Sequence, residues 1–169
     1  MLVPTLAALA LLAALLSAFR FAMGLRYAKL LRERALADEV ARGRRVVAEV
    51  PTPGGEIELF REDEARFYWG DASWAKPELA AARLLLNGAI VAEVSAGPMP
   101  LPPAPGPDPE DVRERWAVVA YRRRGPPVDV ACGSLREGVS RDAARAVFES
   151  LRSAIQVPRG GDEREEVDS

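Results

Sequence analysis

The sequence contains no histidine, and Cys132 is its single cysteine among 169 residues. Histidine is the commonest general base and metal ligand, so its absence excludes Ser-His-Asp and Cys-His catalytic arrangements. A lone cysteine excludes intrachain disulfides and paired-cysteine zinc sites. We therefore expect no cofactor, no metal site and no catalytic residue among the familiar classes.

An excess of positive charge is also missing. The chain has 23 Lys and Arg residues against 25 Asp and Glu residues, which gives a formal net charge of -2 and a pI near 5.4. Nucleic-acid-binding domains usually carry a strongly basic surface. We expect no nucleic-acid partner.

Charge is absent altogether from residues 2–19, where Leu and Ala occupy every face of a predicted helix. A bilayer core needs ~20 apolar residues, and the apolar residues after Arg20, up to Met23, complete that length. A long basic side chain near a helix end can extend to the lipid headgroups. Residues 1–24 are therefore predicted to be a transmembrane anchor in the lipid bilayer.

The direction of this anchor follows from the basic residues behind it. Basic residues near a membrane end favour the cytoplasm, so we expect the N-terminus outside and the C-terminal domain in the cytoplasm. The alternative is a cleaved signal peptide, which favours a basic start and a small-residue cleavage site. Ser17-Ala18-Phe19 matches such a site poorly, but the sequence leaves cleavage open. The basic residues are Arg20, Arg26, Lys29, Arg32 and Arg34.

The helical pattern continues beyond the anchor and ends at Gly43. Apolar residues recur near one face with charges between them, which predicts a juxtamembrane helical stalk over residues 25–43. The recurring residues are Leu25, Ala28, Leu31, Ala35 and Leu36.

A soluble α+β domain is predicted over residues 44–157. Its first strands are expected at 44–50, 56–60 and 66–69, because valines and aromatic residues favour strands and residues 56–60 alternate polar and apolar. The breaks are Pro and Gly at 51–55 and the charged turn 62–64, and Gly70-Asp71 closes the third strand. These elements predict an antiparallel meander.

Residues 77–86 fit two structures. Pro77 and the following alanines favour a helix with Asn87-Gly88 as its C-cap, and this interpretation is slightly preferred. The same Asn-Gly pair between apolar runs is also typical of a hairpin turn between two strands. Residues 89–94 are a strand in both cases.

The second half of the domain contains a proline-rich loop, a hairpin and a helix. The loop at 97–109 favours extended polyproline II, and its Pro100–Pro103 stretch is also a conceivable ligand for aromatic grooves. Strands at 115–121 and 127–132 form the hairpin. Ser140 is a candidate cap for a helix up to residue 156, whose core-facing residues recur at spacings of three and four. Residues 158–169 are expected to be disordered. The core-facing helix residues are Ala144, Val147, Phe148, Leu151 and Ile155.

The candidate binding residues are three consecutive arginines at the tip of this hairpin, Arg122, Arg123 and Arg124. Guanidinium groups engage phosphates and carboxylates, so this tip is a candidate contact for anionic lipid headgroups or for a membrane protein partner; a solvated turn is the alternative. Cys132 and the strand aromatic residues are expected to lie in the core.

Strands, a proline-rich loop, a hairpin beginning at Trp116 and a closing helix at 140–156 give an order that resembles the pleckstrin-homology-like domains of bacterial membrane proteins. The resemblance covers residues 44–156 as an arrangement of elements and involves no residue motif. It implies a small antiparallel, bent sheet packed against a C-terminal helix, and a binding function without catalysis. Lipid-binding members carry basic residues in the first hairpin, whereas this chain has Pro51 to Gly55 there, so the resemblance does not imply lipid specificity.

The function expected from the sequence is a single-pass membrane protein with a cytoplasmic, non-catalytic binding or scaffold domain. Two alternatives stay open. One is a membrane-tethered enzyme that uses carboxylates and arginines, and a cleft holding two carboxylates with shifted pKa values would favour it. The other is a domain exported after signal cleavage. The sequence indicates neither the ligand nor the oligomeric state.

Overall fold

The structure is a computed structural model that describes residues 2–51, 57–98, 100–104, 106, 114–132 and 137–156. Of the helical residues 2–15, 25, 28, 137 and 138, only the backbone is described. Residues 52–55 of the predicted break at 51–55, part of the predicted proline-rich loop at 97–109, and the predicted tail at 158–169 lie outside these residues. The chain divides into two compact units, residues 1–44 and residues 45–169.

The first unit is one helix, α1 (Leu2–Ala41), which runs unbroken through the predicted anchor and stalk. It ends where the Arg42 backbone N–H donates to the Asp38 carbonyl and Gly43 adopts a left-handed φ of 72°. Glycine takes that conformation without strain and commonly ends helices. Across the part of the chain that the structure describes, no helix has both the length and the hydropathy that a bilayer crossing requires.

The second unit begins with a four-stranded antiparallel sheet whose strands are neighbours in chain order. The predicted meander is confirmed, and it has one strand more than expected. Gly70 and Asp71 end the third strand, as predicted, in a turn where Gly70 has a φ of 53°, and the additional strand follows this turn. The strands are β1 (Arg45–Pro51), β2 (Ile57–Glu62), β3 (Arg66–Trp69) and β4 (Ala72–Ala75).

A short 3-10 turn, Lys76–Glu78, leads into a second antiparallel sheet with the order β6–β5–β7–β8. The domain therefore has two four-stranded sheets where the sequence predicted one small sheet. The predicted hairpin is confirmed, with Val118 of β7 opposite Val130 of β8. The strands are β5 (Leu79–Leu86), β6 (Ala89–Ser95), β7 (Trp116–Arg122) and β8 (Val128–Cys132).

The preferred helix at 77–86 is wrong, and the hairpin alternative is correct. Asn87 and Gly88 both have positive φ, 49° and 80°, as a tight hairpin turn between β5 and β6 requires. β5 lies between β6 and β7, and its residues 79–85 are all buried. A strand buried on both faces has a continuous apolar run instead of an alternating one, which is why Ala and Leu there imitate a helix.

The proline-rich loop connects β6 to β7, which lie on opposite sides of β5, so the chain must cross β5 to join them. Arg83 in β5 holds this crossover. Its guanidinium donates to the Pro102 carbonyl (2.5 Å), to the Tyr121 hydroxyl (3.3 Å) and to Glu93 (2.5 Å). At the end of the crossover, the Asn87 side chain accepts the backbone N–H of Arg115 at 2.7 Å.

The closing helix, α2 (Glu137–Gln156), packs against strands of both sheets and completes the core. The predicted core face is confirmed, with Ala144, Val147, Phe148 and Leu151 buried and Ile155 packed against them. The predicted cap is wrong: the helix begins before Ser140, which lies inside it and is fully buried.

An aromatic cluster forms the centre of the core beneath the first sheet. The Phe60, Phe67 and Trp74 rings lie 5.8 to 6.2 Å apart, and all three side chains are buried. Phe60 determines which face of β2 points inward, so Ile57 is 62% exposed despite the alternating sequence. Since side chains alternate along a strand, the inward position of Phe60 also turns Glu62 toward the interior.

Candidate functional site

The predicted arginine site lies at the β7–β8 turn, where its three members behave differently. The Arg122 guanidinium folds back onto the Pro126 carbonyl, with N–O distances of 2.9 and 3.0 Å. The Arg123 backbone N–H donates to the Glu78 carbonyl at 2.7 Å, and the side chains of Arg123 and Arg124 are exposed. Arg122 is thus engaged within the turn, and anion binding by these arginines stays a prediction.

A different place, which the sequence did not indicate, has the geometry of a binding site. A cavity of about 940 Å³ lies between the first sheet, the 3-10 turn and α2. This volume falls in the range of small-molecule pockets, roughly 300 to 1,000 Å³. Apolar side chains of Val47, Ala146 and Ala154 line it together with several charged groups.

Glu62 lies on the floor of this pocket, only 6% exposed, and both of its carboxylate oxygens are occupied. One oxygen accepts from the Arg45 guanidinium, through Nε at 3.0 Å and through an Nη. The other accepts from Lys76 Nζ and from Ser150 Oγ, each at 2.9 Å. The carboxylate is thereby bound to β1, to the 3-10 turn and to α2 at once.

The fold brings these four groups together from distant parts of the sequence. Arg45 lies opposite Glu62 in the β1–β2 ladder. Lys76 is positioned by its backbone N–H, which donates to the Ala65 carbonyl at 2.7 Å, and by its ammonium over the Phe67 ring at 5.1 Å from the centroid. Ser150 comes from α2, on the helix face that also carries Ala146 and Ala154.

These contacts determine the ionisation of Glu62. Burial is the largest single influence and raises the pKa, but the hydrogen bonds from Arg45, Lys76 and Ser150 together outweigh it. The pKa of Glu62 therefore lies below its ordinary value of 4.5. A carboxylate that stays ionised and saturated with donors near neutral pH is suited to organising a site and unsuited to general acid–base catalysis.

The neighbouring acidic residues do not gather around a cation. Asp63 closes the β2–β3 turn, where one oxygen accepts the backbone N–H groups of Ala65 and Arg66. Its other oxygen accepts the Tyr68 hydroxyl at 2.6 Å, a bond that lowers the pKa of Asp63. The prediction of a charged turn at 62–64 is therefore wrong for Glu62, which belongs to β2 and points inward. Among the described residues no cluster of metal-ligating side chains is present.

Cys132 offers no reactive thiolate. It is buried at the end of β8, as the alternation of that strand predicted. Burial, reinforced by the nearby Asp129 charge, raises the pKa of the Cys132 thiol to about 12. A thiol is nucleophilic only as the thiolate, so this residue behaves as a small core hydrophobe.

One signal in the sequence could have indicated the pocket. Glu62 lies two positions after Phe60, on the same face of β2, so a buried Phe60 places a carboxylate at an inward position. A buried carboxylate requires partners. The identity of those partners has no local signal, because Ser150 is 88 residues away.

Comparison of the chain with protein-family models, with curated proteins and with solved structures finds no match.

Proposed function

We propose that this chain is a single-pass membrane protein whose α+β domain is a non-catalytic binding module on the cytoplasmic side, and that the Glu62 pocket is its binding site. The observation that carries the binding-site proposal is that the buried carboxylate in this pocket already has its hydrogen-bond partners. Arg45, Lys76 and Ser150 already satisfy its buried carboxylate, so the pocket has a fixed polar lining around open space. Preformed pockets of this kind bind ligands without reorganisation.

The membrane anchor is supported by the sequence of α1. Residues 2–19 contain no charged residue, and the basic residues that follow favour a cytoplasmic position for the rest of the chain. At ~1.5 Å per residue a helix of 40 residues is about 60 Å long, twice the ~30 Å of a bilayer core. A single continuous helix is thus long enough to serve as both the anchor and the stalk.

A binding role also agrees with the resemblance to pleckstrin-homology-like domains, many of which bind lipids, peptides or proteins without catalysis. The domain has antiparallel sheets and a C-terminal helix, α2, the general α+β arrangement from which that resemblance was drawn. The lowered pKa of Glu62 makes this carboxylate unsuited to act as a general acid at neutral pH.

Two experiments test the proposal. The full-length chain should stay with membranes after carbonate washing, and its intact mass should include residues 1–24; recovery in the soluble fraction or a shortened mass would contradict the anchor. A fragment screen by ligand-observed NMR, on the chain in lipid nanodiscs, should find fragments that bind the wild-type protein reversibly. These fragments should no longer bind the Ala154→Trp variant, because the larger side chain fills the pocket. Chemical conversion of a binder would favour the enzyme alternative.

A further inference from the structure

We infer that the Glu62 pocket takes a small anion, a carboxylate or phosphate group carried on a short apolar body, with Lys76 and Arg45 as its cationic contacts. This inference rests on the proposed function and specifies the ligand class. It follows from which polar groups on the pocket floor still have bonding capacity.

Both carboxylate oxygens of Glu62 already accept hydrogen bonds, whereas Lys76 and Arg45 still have N–H donors to offer. Each carboxylate oxygen of Glu62 accepts from two donor groups. A lysine ammonium has three N–H donors and a guanidinium has five, and Glu62 does not exhaust either group. The Lys76 side chain is 24% exposed and the Arg45 side chain 72% exposed, so the donors left over can be reached from the pocket.

The cluster formed by Glu62 and its two cationic partners also has a net positive charge. Arg45 and Lys76 are two cations beside the single carboxylate of Glu62, and all three line the pocket. An anion placed against them forms charge-assisted hydrogen bonds, which are stronger than neutral ones. A cationic ligand would instead meet a Glu62 carboxylate that already accepts from four donors.

Three further charged residues line the pocket, and each is exposed: Glu64, Arg66 and Glu149. Glu149 is paired with Arg152 at 3.3 Å, and Arg66 donates to the Ser73 hydroxyl at 3.1 Å. Arg45 is equally exposed, so Glu62 and Lys76 are the charges of the lining that solvent and salt screen least. Since the Glu62 carboxylate already has four donors, the ammonium of Lys76 determines the sign of the preferred ligand.

The rest of the lining indicates the body of the ligand. Val47, Pro77, Ala146 and Ala154 offer small apolar surfaces around open space. A free inorganic anion would leave these surfaces unused. An anion attached to a short hydrocarbon or aromatic body would cover them and gain burial energy.

Three probes with one body and different charges test the inference. These are 4-phenylbutyrate (anionic), 4-phenylbutanol (neutral) and 4-phenylbutylamine (cationic), titrated by calorimetry into the full-length chain in lipid nanodiscs, with empty nanodiscs subtracted. We expect the anion to bind about 10-fold or more tighter than the neutral probe, as one charge-assisted contact provides. The cation should bind most weakly. Inorganic phosphate shows how much of the affinity needs no apolar body.

Two substitutions with opposite expected effects on the affinity for the anion separate ligand recognition from general damage to the fold. Lys76→Met should weaken binding of the anionic probe about 10-fold, because it removes a donor. Glu62→Gln should strengthen it, since it frees both cations from their internal counter-charge. Loss of folding weakens binding in both variants and cannot produce this opposition. The matched control is Arg145→Met, an exposed change on α2 outside the pocket lining, which is expected to leave the affinity within about 2-fold.

Each outcome has a definite meaning. Equal binding of the three probes, or weaker binding of the anion in Glu62→Gln, would overturn the anionic ligand class and leave the binding module intact. Absence of binding by every probe, together with no displacement by Ala154→Trp of any screened fragment, would overturn the proposed function as well. Preference for the anion with opposite responses of the two variants supports both.

Discussion

Glu62 is the residue whose surroundings most affect the domain, because one carboxylate joins β1, the 3-10 turn and α2. Buried charges are tolerated only when they are paired and hydrogen-bonded. Here Arg45, Lys76 and Ser150 supply that pairing. The same contacts that hold the elements together also place Arg45 and Lys76 beside the pocket, so a change at Glu62 affects both stability and binding.

The pH dependence of unfolding tests this assignment. The pKa of Glu62 is lower in the folded domain than its ordinary value of 4.5, so the ionised form stabilises the fold above that pH, and the contribution is lost as the pH falls through the lowered value. At pH 7 we expect Glu62→Gln to lower the free energy of unfolding by about 1–3 kcal/mol. The difference from wild type should shrink below pH 4.5 in denaturant titrations followed by tryptophan fluorescence.

Glu64→Gln is the matched control for that measurement, because Glu64 is exposed in the adjoining turn. It should change the free energy of unfolding by less than about 0.5 kcal/mol. Asp63 also has a lowered pKa and contributes to the acid sensitivity of both proteins. A Glu62→Gln curve parallel to wild type at every pH would show that the Glu62 contacts are not formed.

Gly88 provides a second test at the residue scale. It has a φ of 80°, and a Cβ there would lie 2.0 Å from the Gly106 carbonyl oxygen in the crossover. We expect Gly88→Ala to destabilise the domain by at least about 1–3 kcal/mol, measured by denaturant unfolding, because strain and collision add. Gly97→Ala has open space around it and should change stability by less than about 0.5 kcal/mol. Equal effects of the two changes would contradict the close approach of the crossover to the hairpin turn.

At the scale of elements, α2 holds the two sheets together through its apolar face. Phe148 is 4% exposed, and Val147 and Leu151 are fully buried beside it. The opposite face carries exposed charges, so the helix has one stabilising side and one solvated side.

We expect Phe148→Ala to cost about 3–5 kcal/mol, the usual range for large-to-small changes in a core. Arg145→Ala on the exposed face should stay within about 0.5 kcal/mol. Both values come from denaturant unfolding of the full-length chain in detergent. A loss below about 1 kcal/mol for Phe148→Ala would mean that α2 is peripheral to the fold.

At the scale of the whole molecule, the proposed orientation depends on the charges behind the apolar run. Paired C-terminal reporters, one active only inside the cell and one only outside, should give activity for the interior reporter alone. Replacing the basic residues by Gln should weaken or invert this orientation, because the positive-inside bias acts on charges close to the membrane. Exterior activity of the wild-type fusion would overturn the cytoplasmic assignment. The residues to replace are Arg20, Arg26, Lys29, Arg32 and Arg34.

The sequence by itself determined the features that depend on near neighbours. Residues 66–69 were recognisable as a strand from their aromatic side chains, and the core face of α2 from its spacing of three and four. The exclusion of histidine and disulfide chemistry needed composition alone. Each of these depends on propensity, periodicity or residue type, which the chain carries locally.

Only the tertiary structure decided what depends on burial. Residues 79–86 have the composition of a helix, but β6 and β7 pair with both edges of β5 while α2 and the crossover pack on its faces. That burial favours the extended chain over its local propensity. Glu62 likewise has the local sequence of a solvated turn residue, but the burial of Phe60 places Glu62 on the inward face of β2. Its partners then come from 17, 14 and 88 residues away, as Arg45, Lys76 and Ser150 meet where the first sheet, the 3-10 turn and α2 come together.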